Sequence, residues 1–215
     1  VAVDPSSPFS GGAVLGDRVR MRDLSGDPGV FIRSMASRGS LGGLAETTSG
    51  FVGALDAAGF KIILIETVGA GQGEVEIAQL AHSTVVIEAP GMGDDIQTIK
   101  AGILEIADIL VVNKADKPEA EITRRVLTQM LRNAQGVRQE AAPQGIDPPS
   151  PDGVSGSQDI WQVPILMTTA IHGEGLAALK DALLLHQEHL QTTGELAHRE
   201  QARLRHELNQ RLQAA

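Results

Sequence analysis

The feature that most constrains the fold of this chain is a series of short apolar runs that each end in an acid, an amide or a small-residue turn. The clearest is IILIETVGAGQG (62–73), in which four aliphatic residues lead directly into Glu66 and then into three glycines. A continuous apolar run of this kind is typical of a strand buried on both faces of a parallel sheet. STVVIEAP, DILVVNKAD and VPILMTTA repeat the pattern, with helical stretches between them. The sequence therefore predicts an α/β fold, a mostly parallel sheet with helices on both faces.

The spacing of apolar residues predicts the other elements in outline. Helices are expected over 47–59, 72–81, 94–107, 118–133 and 175–186, and a further strand at 1–3. RGSLGGLAETTSG (38–50) predicts a flexible connection, and residues 134–160, rich in Gln, Pro, Gly and Ser, predict a loop. The polar tail carries leucines at 196, 204, 208 and 212, spaced for a narrow helical stripe. We expect one domain over residues 1–186 and a C-terminal helical extension over residues 187–215.

Composition excludes several classes of protein. The net charge of -9 and the pI near 5.1 argue against a nucleic-acid-binding protein, which normally presents a basic face. The chain has no cysteine, so a disulfide framework, a thiolate zinc site and a cysteine nucleophile are excluded. No apolar run approaches the roughly 20 residues of a membrane span, and no signal peptide is visible. We therefore expect a cytoplasmic protein that binds neither membrane nor nucleic acid.

The sharpest local motif is NKAD (113–116), directly after the run DILVV. The Asp116 carboxylate is able to accept two hydrogen bonds, from the N1–H and the exocyclic amino group of guanine, whereas adenine lacks this pair of donors. Asn113 and the aliphatic stem of Lys114 would support the loop and the base. An Asx turn at a strand end is the simpler alternative. The position after a buried strand and behind IETVG favours guanine binding.

TTAIHGEG (168–175) follows the next strand and is predicted to complete the base site. Its small residues would let backbone N–H groups approach the base oxygen, and Thr169, Ala170 and Ile171 are the candidates. Gly173 and Gly175 would allow a tight turn before a helix. An ordinary strand-to-helix loop is an equally good interpretation from these residues alone.

Glu66 is predicted to belong to a site for phosphate and a metal ion. A carboxylate at a strand end is suited to Mg²⁺ or its water, and the Gly69 N–H would reach a γ-phosphate because no Cβ stands in the way. Asp4, after the first strand, and Asp17, in the following loop, are candidates for the same metal. Turn chemistry at Asp4-Pro5 and a solvated loop position for Asp17 are the simpler alternatives.

Two further groups of polar residues have ordinary explanations. In APGMGDDIQTIK (89–100) the acids at 94 and 95 suit a helix N-terminus, and Lys100 suits a helix surface. His186 and His189 are three positions apart on a predicted helix, but no third metal ligand accompanies them. They are interpreted as surface residues.

With these motifs in order, the sequence resembles the methylmalonyl-CoA mutase-associated G proteins, also called the MeaB or ArgK type. The resemblance is carried by VAVDPSS with GGAVLGDRVRM, RGSLGGL, IILIETVGAGQGE, the strand into NKAD, Trp161 and HLQTTGEL. It extends over nearly the whole chain except about 134–160. In this family a glutamate replaces the aspartate of most G proteins, and Glu66 matches it.

The resemblance implies a Mg²⁺-dependent GTPase with a P-loop fold of the signal-recognition-particle-like class. Such proteins bind GTP and GDP and act as chaperones that load and protect an adenosylcobalamin-dependent acyl-CoA mutase. They are homodimers through a C-terminal helical extension. Carried over onto this chain, the Mg²⁺ and hydrolysis acids are Asp4, Asp17 and Glu66, and Lys100 lies in a mobile segment that couples nucleotide state to the mutase. The guanine residues are Asn113, Lys114, Asp116 and 169–171.

The chain departs from the family pattern at both ends. No GxxxxGK[ST] motif occurs in the 215 residues, and in the family this phosphate loop lies upstream of the DPSS strand. The chain opens inside a predicted strand, so we expect residues upstream of Val1, and the dimer arm is expected to be incomplete. Two functions are open: a GTPase whose phosphate loop lies outside this chain, or a non-catalytic interaction and dimerisation fragment. An amino-acid transport kinase, an older name for the family, is not favoured because NKAD selects guanine.

Overall fold

The computed structural model describes the backbone of residues 2–5, 21, 24, 26–37, 41–67, 78–91, 101–140 and 160–214. It divides into two compact units, one of residues 1–81 with 203–215 and one of residues 82–202. The strands are β1 (Ala2–Pro5), β2 (Ser34–Ser37), β3 (Glu66–Thr67), β4 (Val85–Glu88), β5 (Ile109–Asn113) and β6 (Ile165–Thr168). The helices are α1 (Leu41–Ala57), α2 (Ala101–Ile106), α3 (Ala120–Glu140), α4 (Leu176–Thr192) and α5 (Glu195–Ala214), with a 3₁₀ turn at Ala170–His172.

The first unit contains a parallel sheet in the order β2-β1-β3. Helix α1 packs beside it: Thr48 is fully buried, and its hydroxyl lies 3.9 Å from the Met35 sulfur of β2. The Phe31 ring packs against those of Phe51 and Phe60, with centroid separations of 6.1 and 6.3 Å. An aromatic cluster therefore joins the loop before β2 to α1 and to the segment that follows it.

Two predictions for this unit are wrong. Helix α1 begins at Leu41, although the glycines of 38–50 predicted a flexible connection. A glycine inside a helix costs only about 1 kcal/mol relative to alanine, and leucine, alanine and glutamate, which favour helix, surround Gly42 and Gly43. The run 62–65 is not a strand, and Ile62 and Leu64 are exposed. The pairing of this segment with β1 begins at Glu66, which lies opposite Ala2.

The second unit is built around β5, the central strand of a parallel sheet in the order β4-β5-β6. Its residues 109–112 are essentially without solvent exposure. Side chains of a strand alternate between the two faces. Leu110 and Val112 belong to a core with Leu104 and Leu127, from α2 and α3. Ile109 and Val111 instead pack with Ala182 of α4 and its neighbours. The predicted sheet with helices on both faces is thus confirmed here.

Two helices of this unit continue beyond their predicted ends. Helix α3 continues to Glu140 instead of ending at residue 133, and α4 continues to Thr192 instead of ending at His186. Residues 134–140 and 187–192 contain no proline and are mostly helix-forming, so the predicted ends were placed too early. Helix α4 ends at Thr193-Gly194, where Gly194 takes a left-handed φ of 75°. The predicted domain boundary at 186/187 remains a prediction.

The carboxylate of Asp108, the residue before β5, lies at the centre of a buried polar cluster. Its Oδ2 accepts a hydrogen bond from the Thr84 N–H at 2.8 Å, and the Arg199 guanidinium donates to both carboxylate oxygens at 3.0 and 2.9 Å. The Trp161 indole N–H donates to the Asp108 carbonyl oxygen at 2.8 Å. Strands β4, β5 and β6 and helix α5 are therefore tied together at one point, on the amino-terminal side of the sheet.

His186 completes this arrangement, which we call the Asp108 cluster (Ser83, Thr84, Asp108, Trp161, His186 and Arg199). The His186 Nδ1 lies 2.7 Å from the Ser83 hydroxyl oxygen. The other ring nitrogen, Nε2, lies 3.3 Å from Asp108 Oδ1, within ion-pair distance, but the geometry of this contact is not that of a hydrogen bond. The Trp161 ring packs on both His186 and His189. The side chain of His186 is fully buried and that of His189 is 11% exposed, so their prediction as surface residues is wrong. The helical spacing carried this signal for His186, because Ala182, His186 and Leu190 lie four residues apart and are all buried on one face of α4.

Within the described part of the chain, no helix is both long enough and apolar enough to cross a membrane.

Replacing Leu127 by alanine should destabilise the second unit by about 2–5 kcal/mol, because its fully buried side chain fills the core between α3 and β5. The matched control is Ile122→Ala on the same helix, where the side chain is 60% exposed and a change within roughly 0.5 kcal/mol is expected. Urea unfolding followed by circular dichroism measures both. Equal losses in the two variants would contradict the core assignment.

The Asp108 cluster should make stability depend on acid pH. Burial alone would raise the pKa of Asp108, but the contacts with His186, Arg199 and the Thr84 N–H hold the pKa below its ordinary value of 3.8. The unfolded chain therefore takes up this proton first, and the stability that the carboxylate contributes is complete above about pH 5 and is lost as pH falls through the folded-state pKa. Urea midpoints measured between pH 6 and pH 3 should fall less steeply in Asp108→Asn than in the wild type. The exposed Asp181→Asn should follow the wild-type curve, and parallel curves for all three would contradict the prediction.

Candidate functional site

The polar residues predicted to bind a base lie at the carboxyl ends of β5 and β6, which are neighbouring strands. Asn113 is in register with Thr168 at the last paired position. The Asn113 Oδ1 accepts hydrogen bonds from the Thr168 hydroxyl at 3.2 Å and from the Ala170 N–H at 3.1 Å. The Ala115 N–H in turn donates to the Thr168 carbonyl oxygen at 2.9 Å. The two predicted loops are therefore fastened to each other by three hydrogen bonds, and Asn113 is the residue that joins them.

The NKAD loop has the backbone of a tight turn. Lys114 has a φ of 57°, a left-handed conformation that costs a residue with a Cβ about 1–2 kcal/mol. Its carbonyl oxygen accepts a hydrogen bond from the Lys117 N–H at 3.0 Å, which closes the turn. The side chains of Lys114 and Asp116 are exposed. The turn thus presents the Asp116 carboxylate to solvent beside the fixed amide of Asn113.

The second loop is closed on itself. The Thr169 N–H donates to the Glu174 carbonyl oxygen at 3.0 Å, and the 3₁₀ turn lies between them. Thr169 is 2% exposed, whereas Ala170 is exposed and Ile171 is 84% exposed. Of the three predicted residues, Ala170 and Ile171 thus face solvent, and Thr169 lies inside the loop.

Gly175 fixes this loop against β6. It has a φ of 76°, and a Cβ at this position would collide with the Met167 carbonyl group. Gly173 has a similar φ of 74°, but its Cβ would meet open space. Glycine is therefore required at 175 for both conformation and space, and at 173 for conformation alone.

The acids predicted to bind the metal belong to the other compact unit. Asp4 lies in β1 and Glu66 in β3, on neighbouring parallel strands, with Glu66 opposite Ala2. The Glu66 side chain is exposed. Glu66 is the first residue of β3, whereas Asp4 lies two residues beyond Ala2 on β1, so the prediction that both acids follow their strands holds for neither. Carboxylate oxygens are nevertheless ligands that suit Mg²⁺. Asp17, Gly69 and Lys100 lie outside the described residues, and so does the segment 92–100.

A complete metal site is not formed by the described side chains alone: they contain no group of three or more acidic, histidine or cysteine residues close enough to hold an ion. The side chain of Asp4 and the whole of Asp17 are not among them. The assignment of Asp4, Asp17 and Glu66 to the metal therefore stays a prediction, with donor chemistry that fits.

Thr168 belongs to the predicted motif TTAIHGEG but was not among its candidate base-binding residues, and the structure makes it a partner of Asn113. It is 3% exposed, and its hydroxyl and carbonyl groups bond to Asn113 and to Ala115. The signal was present, since a threonine ends the apolar run ILM as Asn113 ends ILVV. Recognising it required the register between β5 and β6, which apolar spacing does not provide.

The two glycines of the second loop should respond differently to alanine. Gly173→Ala adds only the cost of a left-handed backbone, about 1–2 kcal/mol. Gly175→Ala should lose more stability than Gly173→Ala, because the Met167 carbonyl group cannot move away from the new Cβ without disturbing β6. Urea unfolding measures the difference, and the amide signals of Asn113 and Ala170 in nuclear magnetic resonance spectra report whether the loop moves. A Gly175→Ala variant as stable as Gly173→Ala would contradict the close approach.

The chain is similar in sequence and in fold to known proteins. A family model described as "Methylmalonyl Co-A mutase-associated GTPase MeaB" matches residues 1–215. The protein PH0274 of Pyrococcus horikoshii is 45% identical over 208 residues, which are 97% of this chain and 60% of that protein. GTPase ArgK of Escherichia coli is 32% identical over 91% of this chain and 54% of its own length. The mouse protein named methylmalonic aciduria type A homolog, mitochondrial, is 34% identical over 94% of this chain and 44% of its own length.

The chain therefore spans between 44% and 60% of the length of these relatives. Among solved structures, an LAO/AO transport system kinase is similar with a TM-score of 0.67 and 24% identity, over 99% of this chain and 56% of that chain. At this identity the likeness concerns the fold, and it confirms the predicted α/β class.

Proposed function

The chain belongs to the methylmalonyl-CoA mutase-associated GTPase MeaB family, and from that premise we propose that it is the guanine-binding part of a Mg²⁺-dependent GTPase. The observation that carries the proposal is the double hydrogen bond to Asn113, which fixes the turn bearing Asp116 against the loop 169–174. A pocket for a planar base needs two such loops held at a constant separation. The relatives named as GTPases support the same conclusion for the full-length protein.

In this proposal each loop residue has one task. The exposed Asp116 carboxylate accepts from the N1–H and amino group of guanine, and the Lys114 stem lies along the base. The Ala170 N–H is already used by Asn113, so we assign the base oxygen to the Ile171 N–H. Thr169 acts from inside the loop through its bond to Glu174. Adenine offers no donor pair to Asp116, which makes the site selective for guanine.

We assign metal and phosphate binding to residues of the first unit. Asp4, Asp17 and Glu66 would hold Mg²⁺, which when bound neutralises charge on the β- and γ-phosphates. Gly69 would offer its N–H to the γ-phosphate, and Lys100 would lie in the segment that responds to nucleotide state. No GxxxxGK[ST] motif occurs in these 215 residues, which span 60% of the Pyrococcus horikoshii relative.

We assign the protein to service of an adenosylcobalamin-dependent acyl-CoA mutase, as a chaperone for cofactor loading and protection. The family description and the name of the mouse relative support this assignment. Homodimerisation is assigned to the C-terminal extension, where Leu204, Leu208 and Leu212 are 58–68% exposed on α5. A cytoplasmic location is part of the same proposal.

Calorimetric titration with GDP and Mg²⁺ tests the proposal, using this chain beside one extended upstream through its natural start. Tight binding by the extended chain alone would mean that the upstream phosphate loop completes the site. Equal micromolar binding by both would mean that the loops described here suffice. Absence of binding by either would overturn the GTPase proposal and favour a non-catalytic interaction module, which the missing phosphate motif would then explain.

Guanine recognition is tested separately in the extended chain by Asp116→Asn. The variant should bind GDP more weakly by on the order of tenfold or more, since a hydrogen bond to a charged group contributes about 1.5–3 kcal/mol. It should also gain affinity for xanthosine diphosphate, whose 2-oxo group pairs with the new amide. Glu119→Gln, an exposed acid just beyond the same turn, is the matched control. Unchanged GDP affinity in Asp116→Asn would remove the NKAD assignment.

A further inference from the structure

The first two turns of α5, residues 195–202, are held to the second unit mainly by charged groups. Leu196 is half-buried, but Ala197 and Ala202 are exposed, as are most of the polar residues between them. Arg199 makes the closest contacts, with Asp108 and with the His82 carbonyl oxygen at 2.9 Å. Apolar packing, which holds α3 and α4 to the sheet, contributes little to the docking of this segment.

Arg199 is itself held in position from its own helix. Its Nε and Nη2 donate to the Glu195 carboxylate at 3.0 and 2.9 Å, one turn earlier. All three guanidinium nitrogens are therefore engaged, and the side chain is 32% exposed while that of Asp108 is 9% exposed. The Arg199 side chain thus extends from a largely exposed helix to the Asp108 carboxylate on the amino-terminal side of the sheet.

Two weaker ion pairs surround this contact. His82, in the segment before β4, lies 3.7 Å from Glu200, and His189 of α4 lies 3.8 Å from Glu195. Together with Asp108 and His186, these are the charged or titratable groups that face residues 195–202 in the described structure. Each contact joins α5 to a different part of the unit, and the two histidine contacts are ion pairs only when the histidine is protonated.

The segment also has a defined pivot at its start. Gly194 has a φ of 75° and separates α4 from α5, while the Thr193 hydroxyl donates to the His189 carbonyl oxygen at 2.7 Å and so closes the end of α4. Helix α4 thus ends independently of whether α5 is docked.

We propose that Arg199 is an ionic latch on Asp108, and that residues 195–202 of α5 exchange between a docked and a released state by turning at Gly194. Opening a contact made of charges exposes little apolar surface, so it does not require the core around β5 to unfold. Such a segment responds to ionic strength and to competing charged groups, which an apolar contact does not. This proposal is independent of nucleotide binding.

Hydrogen exchange followed by mass spectrometry on the full chain tests the latch. In Arg199→Met, exchange of peptides covering 195–202 should rise on the order of tenfold or more, while peptides covering β5 remain protected. Raising NaCl from about 0.1 to about 1 M, which shortens the Debye length from about 10 to about 3 Å, should shift the wild type in the same direction. Arg205→Met, an exposed arginine on the same helix, should change neither segment.

Two outcomes would overturn the latch. One is unchanged exchange of 195–202 in Arg199→Met, which would mean that other contacts dock the helix. The other concerns the double variant Asp108→Asn/Arg199→Met, which leaves no unpaired buried charge. It should keep β5 protected and release 195–202. Loss of protection in both segments of the double variant would make the cluster a part of the core instead of a latch.

Discussion

The buried carboxylate of Asp108 is the interaction on which the second unit depends. A charge placed in a protein interior is tolerated only when hydrogen bonds and an opposite charge replace its hydration. Here the Thr84 N–H and Arg199 supply them, and His186 stands at ion-pair distance. Because these partners come from the start of β4, from α5 and from α4, satisfying one carboxylate fixes the positions of several elements at once.

The opposite edge of the same sheet has a comparable organiser in Asn113. One side-chain oxygen accepts from Thr168 and from Ala170, and so sets the separation of two loops. Strand β5 begins directly after Asp108 and ends at Asn113, while α4 begins directly after Gly175 and carries His186 about two turns before its end. Strand β5 and helix α4 thus link two polar regions of the second unit. The Asp108 cluster holds the elements together, and the edge that carries Asn113 is suited to bind a base.

Much of this architecture was predictable because it rests on local patterns. Continuous apolar runs identified β4, β5 and β6, and the polar residues that end them identified the edge carrying Asn113 and Asp116. What failed depended on long-range pairing. The run 62–65 has the composition of a strand, but the paired part of β3 begins at Glu66. His186 was interpreted as a surface residue, but it is buried beneath Trp161. Thr168 became visible as the partner of Asn113 only through strand register, and Arg199 meets Asp108 across 91 positions of sequence.

The pairing of Asp108 with Arg199 also limits how the sequence can change over evolutionary time. Losing Arg199 alone leaves the Asp108 carboxylate charged and poorly solvated, which costs up to about 3–5 kcal/mol, a large fraction of the stability of a small domain. Losing the charge of Asp108 costs less, because Arg199 is 32% exposed and keeps its contact with Glu195. Replacing both by apolar residues of similar volume is far less costly. The two positions are therefore expected to vary together among relatives, through intermediates in which an asparagine or glutamine at 108 removes the charge before Arg199 is lost.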